Sequence, residues 1–346
     1  MRLVRLLVPG LMLALLVGCG ADTPNQEHSA LALFADAEAP PSPPPEWMPL
    51  IGEYAEGADT LSVLEDDHTL YLLTWGAERD ALSQSNDSTL EIDGTDRVVS
   101  VRRSDMGSVS GLDIEGRFFT RLSLGGEEGE TFQITPVRSP VELRAEALAA
   151  VPPEEEGDFV VSDLVEVTSL DQTIRLDIRY ATTNNFMGEV FYSSPRAFLQ
   201  RPAAEAVVRA HEWLSERGYG ILIHDGYRPW YVTKMFWDAT PEHLKNFVAN
   251  PASGSRHNRG CAVDLTLYDI ETGEVVLMPA GFDEMSPRSH VDYQGGTDRQ
   301  RWYRDLLRAA MEAQGFTVYE DEWWHFDYEG WEQYRIGNEV FEEIGR

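Results

Sequence analysis

Three short clusters in the C-terminal half of the sequence hold residues that could carry out chemistry together. His257 and Asp264 are separated by six residues, Glu322 and His325 by two, and Arg228 lies in a third cluster. Two neutral imidazoles and one carboxylate form a catalytic zinc set that leaves a fourth position open for water. A single histidine is more often a satisfied polar residue than a ligand. The prediction of a hydrolytic metal site therefore rests on the combination with the glutamate.

Two other hydrolase motifs are missing from the sequence. A glutamate follows His211 directly, but Ser215 stands where the motif H-E-x-x-H requires a second histidine. The S-x-x-K motif of serine-type peptidases requires a lysine three residues after a serine. The chain has only two lysines, Lys234 and Lys245, and neither follows a serine at that distance. A metal is therefore the favoured source of hydrolytic chemistry.

Strand geometry limits which side chains can share the metal site. If 261–267 forms a strand, Cys261 points away from the face that carries Asp264, because successive side chains alternate between the two faces. We therefore predict that Cys261 is a small buried thiol and not a metal ligand.

The aromatic-rich segment 319–328 also predicts a strand. Glu322 and His325 are three residues apart, which places them on opposite faces of a regular strand. Both must reach one metal, so we predict a bulge or a turn near Trp323 and Trp324.

The segments around these clusters mix helices and strands without regular alternation, which favours an α+β domain over 158–346. Helices are predicted where an amphipathic pattern ends at a glycine, and strands where short apolar runs occur. The predicted helices are 202–217 and 299–314, and the predicted strands are 220–224, 262–268 and 316–319.

Residues 1–19 have the features of an export signal. Arginines precede an apolar run over 6–17, which is too short for a comfortable transmembrane helix. The run ends at Cys19 in a sequence that resembles the bacterial lipobox, in which the cysteine is lipidated. Gly20 stands in place of the aspartate that retains lipoproteins at the inner membrane. We expect an exported protein, lipid-anchored at the cell envelope and facing the periplasm, with the outer membrane favoured over the inner.

Three further segments precede the α+β domain. Residues 20–46 are rich in Pro, Ala, Glu and Ser and predict a disordered tether. Residues 47–137 predict a small antiparallel all-β domain that resembles the lipocalin-like modules of some exported hydrolases. Its histidine, His68, lies in a predicted turn and is not expected to bind a metal. Residues 138–157 contain a short helical stretch and a Pro- and Glu-rich run, and predict a linker. The strands proposed in the β-domain are 60–64, 70–73, 97–101 and 118–121.

The formal net charge of −31 over 346 residues restricts the partners of the chain. A nucleic-acid-binding surface needs clustered Lys and Arg, so no nucleic acid is expected as a partner. The same charge disfavours docking of the protein body on anionic lipid. Contact with a membrane is expected only through the lipid anchor, and the sequence does not indicate an oligomeric state.

Taken together, the clusters resemble the LAS-type zinc peptidases of peptidase family M15, and among them the D-Ala-D-Ala dipeptidases of the vancomycin-resistance type. The resemblance covers 158–346. It implies a hedgehog/DD-peptidase-like fold, in which helices flank an antiparallel sheet, and hydrolysis of the small dipeptide D-Ala-D-Ala by metal-activated water. The segments that carry it are 177–182, 185–186, 218–220, 225–229, 255–268 and 322–325.

The resemblance also implies roles for individual residues. One zinc ion per subunit would be held by His257, Asp264 and His325. Glu322 would act as the general base toward water and then as the acid toward the leaving amine. Arg228 would stabilise the oxyanion that forms at the scissile carbonyl.

Four further residues resemble the family's substrate ligands. Ser255 would bind the substrate carboxylate, while Tyr180 and Asp283 would bind the substrate ammonium. Tyr192 resembles an additional substrate tyrosine, at a spacing that departs from the family pattern.

Two alternatives stay open at this point. A zinc D,D-carboxypeptidase would act on peptidoglycan stem peptides, which have no ammonium for Asp283 and Tyr180 to bind. A cell-wall-binding lipoprotein without turnover is disfavoured because Glu322 supplies a base. The sequence does not distinguish cell-wall precursor turnover from glycopeptide resistance.

Overall fold

The computed structural model describes residues 31–74, 79–124 and 131–344. The export signal and Cys19 lie outside the described residues, so lipidation stays a prediction. The described residues form an N-terminal barrel and a C-terminal mixed α/β domain. Among the described helices, none has both the length and the apolar character needed to cross a membrane.

A closed antiparallel barrel occupies the N-terminal part of the structure. Each strand pairs with the next along the chain, and the last pairs with the first, where Tyr54 lies opposite Arg121. The predicted antiparallel β-domain is therefore confirmed. The strands are β1 (Gly52–Glu56), β2 (Asp59–Asp66), β3 (Thr69–Thr74), β4 (Arg79–Asn86), β5 (Thr89–Ile92), β6 (Val98–Arg103), β7 (Val109–Ile114) and β8 (Arg117–Arg121).

The interior of this barrel is filled by side chains. Inward-facing residues alternate with outward-facing ones along each strand, and Tyr54, Val63, Leu90 and Leu112 are fully buried. An eight-stranded barrel is just wide enough for side chains to fill it or to hold one small ligand. In this barrel the inward-facing side chains pack on one another in one apolar cluster. His68 lies exposed in the β2–β3 turn, with a φ of 58°, as expected.

A five-stranded sheet forms the centre of the C-terminal domain, in the order β10-β12-β13-β15-β14. Its neighbours pair antiparallel except that β10 runs parallel to β12. The sheet is therefore mixed and not wholly antiparallel as predicted. The strands are β9 (Leu164–Glu166), β10 (Arg175–Leu176), β11 (Phe198–Gln200), β12 (Tyr219–Asp225), β13 (Ala262–Asp269), β14 (Phe316–Tyr319) and β15 (Glu322–Tyr328), of which β9 and β11 form a separate pair.

Helices pack around this sheet. The predicted helices 202–217 and 299–314 are confirmed as α3 and α5, and the glycines that follow them, Gly218 and Gly315, both adopt a φ of 84°. A side chain disfavours this left-handed conformation, so glycine is suited to end a helix there. The α-helices are α1 (Pro140–Ala149), α2 (Val167–Leu170), α3 (Arg201–Ser215), α4 (Trp230–Ala239) and α5 (Asp298–Glu312).

The segment predicted as a linker over 138–157 differs from that expectation. Helix α1 packs on α4, and its Leu143 and Ala147 are buried in the core of the C-terminal domain. Further along, the Glu155 carboxylate accepts a hydrogen bond of 2.6 Å from Arg259. The amphipathic character of α1 is weak, which hid this packing in the sequence. The C-terminal domain therefore begins before residue 158 and includes α1.

The described part of the predicted tether also makes contacts. The Phe34 ring packs edge-to-face on Trp302, with ring centroids 5.6 Å apart. Arg299 donates a hydrogen bond of 3.1 Å to the carbonyl oxygen of Pro40. Phe34 and Pro40 thus lie against α5 of the C-terminal domain, while disorder of the residues before 31 stays a prediction.

Candidate active site

The two predicted metal-binding segments meet at the centre of the sheet. Strands β13 and β15 are neighbours, and Asp264 lies directly opposite His325 in their register. His257 comes from the short 3-10 turn before β13, which ends at Gly260 with a φ of 68°. All three side chains are buried, and their ligand atoms lie within 4.8 Å of one another. The pairing of β13 with β15 thus brings together His257 and His325, which are 68 positions apart in the sequence.

The distances among these three side chains fit one tetrahedral ion. Nε2 of His257 lies 3.1 Å from Nδ1 of His325 and 3.3 Å from Oδ1 of Asp264. Nδ1 of His325 lies 3.0 Å from the same carboxylate oxygen. Ligand atoms about 2.0 to 2.1 Å from a tetrahedral zinc ion lie about 3.3 to 3.4 Å apart. The donor set and its spacing therefore match a zinc site with three protein ligands.

Hydrogen bonds on the far side of each imidazole fix which nitrogen faces the site. Nδ1 of His257 donates to the carbonyl oxygen of Gly226 at 2.7 Å, which leaves Nε2 with a free lone pair. Nε2 of His325 lies 2.9 Å from Oδ1 of Asp327, which leaves its Nδ1 facing the site. Such partners orient metal-binding histidines and raise their basicity. Asp327 was missed in the sequence, although its position two residues after a strand histidine places both on one face.

The predicted bulge in the aromatic strand is confirmed. Val318 of β14 pairs with Phe326, whereas the next residue, Tyr319, pairs with Glu322, so the register shifts between them. The shift brings the Glu322 carboxylate to 3.8 Å from Nδ1 of His325. Burial raises the pKa of Glu322 to about 7. A carboxyl group with this pKa can exchange a proton near neutral pH.

Arg228 is buried at the edge of the site and is held by two carboxylates. Its Nε donates to Oδ2 of Asp225 at 2.9 Å, and its NH2 lies 3.5 Å from Oδ2 of Asp264. Asp225 in turn accepts a hydrogen bond of 2.8 Å from Tyr192. The guanidinium thus lies beside the Asp264 carboxylate, and the Asp225–Tyr192 contact fixes its orientation. The Asp225 contact was not foreseen, although Asp225 stands three residues before the arginine.

Tyr192 lies behind Arg228 and not among the residues that line the pocket. Its side chain is buried, and its hydroxyl donates to the Asp225 carboxylate at 2.8 Å. Through Asp225 it supports Arg228, and a contact of Tyr192 with the substrate stays a prediction.

Tyr180 and Asp283 meet across the pocket from the metal-binding group. The Tyr180 hydroxyl lies 3.0 Å from both carboxylate oxygens of Asp283. Burial, followed by the charge of Asp264, raises the pKa of Asp283 well above its ordinary value. A carboxylate in this position is stabilised by a cation that enters the pocket.

Ser255 lies on another wall of the same pocket, next to the metal-binding turn. Its Oγ accepts a hydrogen bond of 3.2 Å from the backbone N–H of His257. The hydroxyl hydrogen is therefore left to point elsewhere, and it can be donated to an anionic group. The predicted site residues that line the pocket are Tyr180, Arg228, Ser255, His257, Asp264, Asp283, Glu322 and His325.

Cys261 is a buried free thiol, as predicted. Its sulfur lies 3.6 Å from the carbonyl oxygen of Arg259. Burial raises its pKa to about 12, so the thiol stays protonated at neutral pH. Because the thiolate is the form that binds metals, Cys261 does not belong to the donor set.

Fold and site together define a metallopeptidase: a buried His-Asp-His group, an adjacent carboxyl group with a pKa near neutrality, and a guanidinium beside it. Comparison with known families agrees. Residues 161–336 match the family model of the D-ala-D-ala dipeptidases, peptidase family M15. The chain belongs to this family.

Relatives from three organisms show the extent of the similarity, and each bears the name D-alanyl-D-alanine dipeptidase. The protein of Escherichia coli (strain K12) is 34% identical over 166 residues, covering 48% of this chain and 84% of the relative. That of Enterococcus faecium is 38% identical over 180 residues, covering 46% and 89%. That of Streptomyces coelicolor is 36% identical over 188 residues, covering 49% and 91%. The barrel lies outside the range of the family match.

Proposed function

We propose that this chain is a zinc-dependent dipeptidase that hydrolyses D-Ala-D-Ala to two molecules of D-alanine. The observation that carries the proposal is the grouping, in one pocket, of the His257–Asp264–His325 donor set with Glu322 and the Tyr180–Asp283 pair. The D-configuration of the substrate is taken from the names of the relatives.

His257, Asp264 and His325 would hold the zinc ion. A bound zinc ion supplies Lewis acidity, which polarises a carbonyl oxygen and makes water a stronger nucleophile at neutral pH. The fit of the donor distances and the outward hydrogen bonds of both imidazoles support this assignment. One ion per subunit satisfies the group.

Glu322 is suited to move the proton of the reaction. With its pKa raised to about 7, its carboxylate takes a proton from the attacking water and returns it to the leaving amine. Arg228 lies 3.5 Å from the Asp264 carboxylate and is one of the residues that line the pocket. A preorganised guanidinium of this kind stabilises negative charge that develops on the scissile carbonyl oxygen.

The two ends of the substrate are recognised by different groups. The Asp283 carboxylate, with the Tyr180 hydroxyl, binds the ammonium of the free dipeptide, a charge-assisted contact. The Ser255 hydroxyl donates to the terminal carboxylate. A D,D-carboxypeptidase would present a neutral amide to Asp283 and leave that carboxylate without a cation, so the pair favours the dipeptidase over this alternative.

Two further proposals concern the fold of the C-terminal domain and the location of the protein in the cell. The C-terminal domain has the hedgehog/DD-peptidase-like fold, which a structural superposition onto a family member would test. Cys19 is lipidated after export and anchors the protein at the cell envelope. Replacing Cys19 with alanine should move the protein from the membrane fraction to the soluble fraction, and retention in the membrane fraction would refute the anchor.

The catalytic proposal is tested with the purified, metal-depleted chain. Zinc should restore release of D-alanine from D-Ala-D-Ala, and L-Ala-L-Ala should be a poor substrate. The matched control is Glu322→Gln, which keeps the shape of the side chain and removes the base. Zinc-loaded protein that releases no D-alanine, or a Glu322→Gln variant as active as the unaltered protein, would refute the proposal.

A further inference from the structure

The barrel is attached to the C-terminal domain by buried polar contacts. Arg301 of α5 donates to the carbonyl oxygen of Glu65 at 3.0 Å and to the carboxylate of Asp66 at 2.7 Å. The backbone N–H of Glu65 donates to the carbonyl oxygen of Gly296 at 3.0 Å. Both Glu65 and Arg301 are buried. An attachment made of buried, paired polar groups fixes one geometry, because any shift leaves a desolvated group without its partner.

The Glu65 carboxylate also completes the start of α5. It accepts a hydrogen bond of 3.1 Å from the backbone N–H of Asp298, in the first turn of the helix. The first N–H groups of a helix have no partner within it, and a carboxylate is favoured at this positive end. A residue of the barrel therefore serves a helix of the other domain.

A second contact joins the barrel to the loop before α5. The Tyr293 hydroxyl donates to the Glu53 carboxylate on β1, whose other oxygen accepts a hydrogen bond of 2.7 Å from Ser62. Burial, followed by the charge of Glu53, raises the pKa of Tyr293 well above its ordinary value. The Tyr293 phenol is thus protonated at neutral pH, and it binds the barrel by donating its hydrogen to Glu53. It lies on the loop that carries Asp283 into the active site.

The part of this loop nearest the active site is folded around Glu284. Its carboxylate accepts hydrogen bonds of 2.6 Å from the Ser286 hydroxyl and 3.3 Å from the backbone N–H of Gly281. It also pairs with Arg288 at 3.1 Å. The backbone N–H of Ser289 donates to the carbonyl oxygen of Ser286 at 3.0 Å, and that of Tyr293 to the carbonyl oxygen of His290 at 3.1 Å. Hydrogen bonds therefore continue along the loop from the Glu284 turn to the residue that contacts the barrel.

Asp283 itself has a backbone conformation that must be held by its surroundings. Its φ is 59°, in the left-handed region that residues with a side chain seldom adopt. Such residues persist only where the surrounding structure fixes them. On one side, the preceding Phe282 ring stacks on His224 with centroids 4.6 Å apart. On the other side lies the Glu284 turn, which leads to Tyr293.

We propose that the barrel is a positioning element for substrate recognition: through Glu53 and Tyr293 it holds the 281–297 loop so that Asp283 faces the substrate ammonium. This inference rests on the proposed function of Asp283. It assigns the barrel a role in the active site of this chain, in addition to any spacing of the enzyme from a membrane. Glu53 and Tyr293 are then positioning residues, which act through the loop and do not touch the substrate.

The test compares three variants of the full-length chain with the unaltered protein. Tyr293→Phe removes the hydroxyl and keeps the ring, Glu53→Ala removes the acceptor, and Glu53→Gln keeps an oxygen that can still accept. The matched control is Arg102→Ala, which breaks an exposed ion pair with Asp113 on the barrel surface. Each variant is assayed on D-Ala-D-Ala, and hydrogen exchange is measured for the 281–297 loop and for the 255–264 segment.

The proposal predicts that Tyr293→Phe and Glu53→Ala raise KM about tenfold while kcat changes little, because only a fraction of molecules keeps the loop competent for binding. Exchange should become faster in 281–297 and stay unchanged in 255–264. Glu53→Gln should recover most of the lost affinity, and Arg102→Ala should match the unaltered protein.

Two results separate the failure of this inference from that of the proposed function. Unchanged loop exchange in both Tyr293→Phe and Glu53→Ala would overturn the positioning role, whatever the substrate is. A variant with lower thermal stability and lower kcat but an unchanged KM would also overturn it, since this is the pattern of a purely structural contact. If the unaltered protein does not hydrolyse D-Ala-D-Ala, the proposed function fails, and the exchange measurement still decides whether the barrel holds the loop.

Discussion

The two interiors of this molecule are built on opposite principles. The barrel core is apolar, formed by residues such as Leu61, Leu90 and Leu112. The centre of the C-terminal sheet instead buries Asp225, Asp264 and a group of histidines and arginine within a few ångströms of each other. Taking charges out of water is costly unless they are paired or bind a metal.

The difference teaches where function resides. An apolar core stabilises the barrel without any chemistry, whereas a cluster of buried ionisable groups is costly and is expected where binding and reaction take place. Perturbed ionisable groups that share a cleft are a mark of active sites. In the described part of the barrel, the buried acidic residue is Glu65, and it faces the C-terminal domain. Charge is thus buried in the barrel only where it holds the second domain.

The largest expected effect comes from removing a metal ligand. His325→Ala leaves two protein ligands, so zinc content should fall far below one per chain and activity should be lost, because metal affinity depends on the full donor set. The control is His68→Asn in the barrel turn, which should keep both zinc and activity. Metal analysis and D-alanine release check this prediction. Full zinc occupancy in His325→Ala would contradict the assignment of the ligands.

Loss of the base should have the next largest effect. Glu322→Gln should lower kcat by about 10² to 10⁴, the range that general acid–base catalysis contributes. Zinc content should stay at one per chain, because Glu322 is not in the donor set. Metal analysis alongside steady-state kinetics separates this outcome from loss of the site. A variant that loses its zinc would place Glu322 among the ligands instead.

A substitution in the core of either domain should lower the stability of the protein without changing kcat. Leu143→Ala in α1 and Leu90→Ala in the barrel should each lower the free energy of unfolding by about 2 to 5 kcal/mol, because each leaves a cavity. Thermal and denaturant unfolding measure the loss, and kcat of the folded fraction should be retained. A Leu143→Ala variant as stable as the unaltered protein would restore 138–157 to the status of a linker.

The smallest effect is expected at Cys261. Cys261→Ala removes one buried sulfur, and it should destabilise the protein by about 1 kcal/mol without altering zinc content or kcat. The reason is that a thiol with a pKa of about 12 does not bind zinc at neutral pH. Zinc titration of the variant provides the measurement, and weaker zinc binding would show that the thiol takes part in the site.

Much of the site could be predicted because its information is local. The His257 and Asp264 spacing, the glycines that end α3 and α5, and the conflict between Glu322 and His325 on one strand all follow from short-range geometry. Because Glu322 and His325 would face opposite sides of a regular strand, the sequence also predicted the bulge that the register of β14 and β15 shows.

The rest depended on contacts between distant segments. Tyr192 donates to Asp225 across 33 positions, and no spacing rule indicates such a pairing. Helix α1 buries only Leu143 and Ala147, so its sequence has little amphipathic pattern that could indicate packing. The role of Tyr293 depends on a barrel residue 240 positions away. Tertiary packing decided these cases.

The central claim is that this pocket recognises a free dipeptide through its ammonium. The most direct measurement is kcat/KM of the zinc-loaded protein on D-Ala-D-Ala and on N-acetyl-D-Ala-D-Ala, repeated with Asp283→Asn. Acetylation removes the cation that pairs with Asp283, so the unaltered protein should prefer the free dipeptide by about 10² or more, and Asp283→Asn should narrow that gap. Equal efficiency of the unaltered protein on the two substrates would contradict the dipeptidase account and favour a carboxypeptidase.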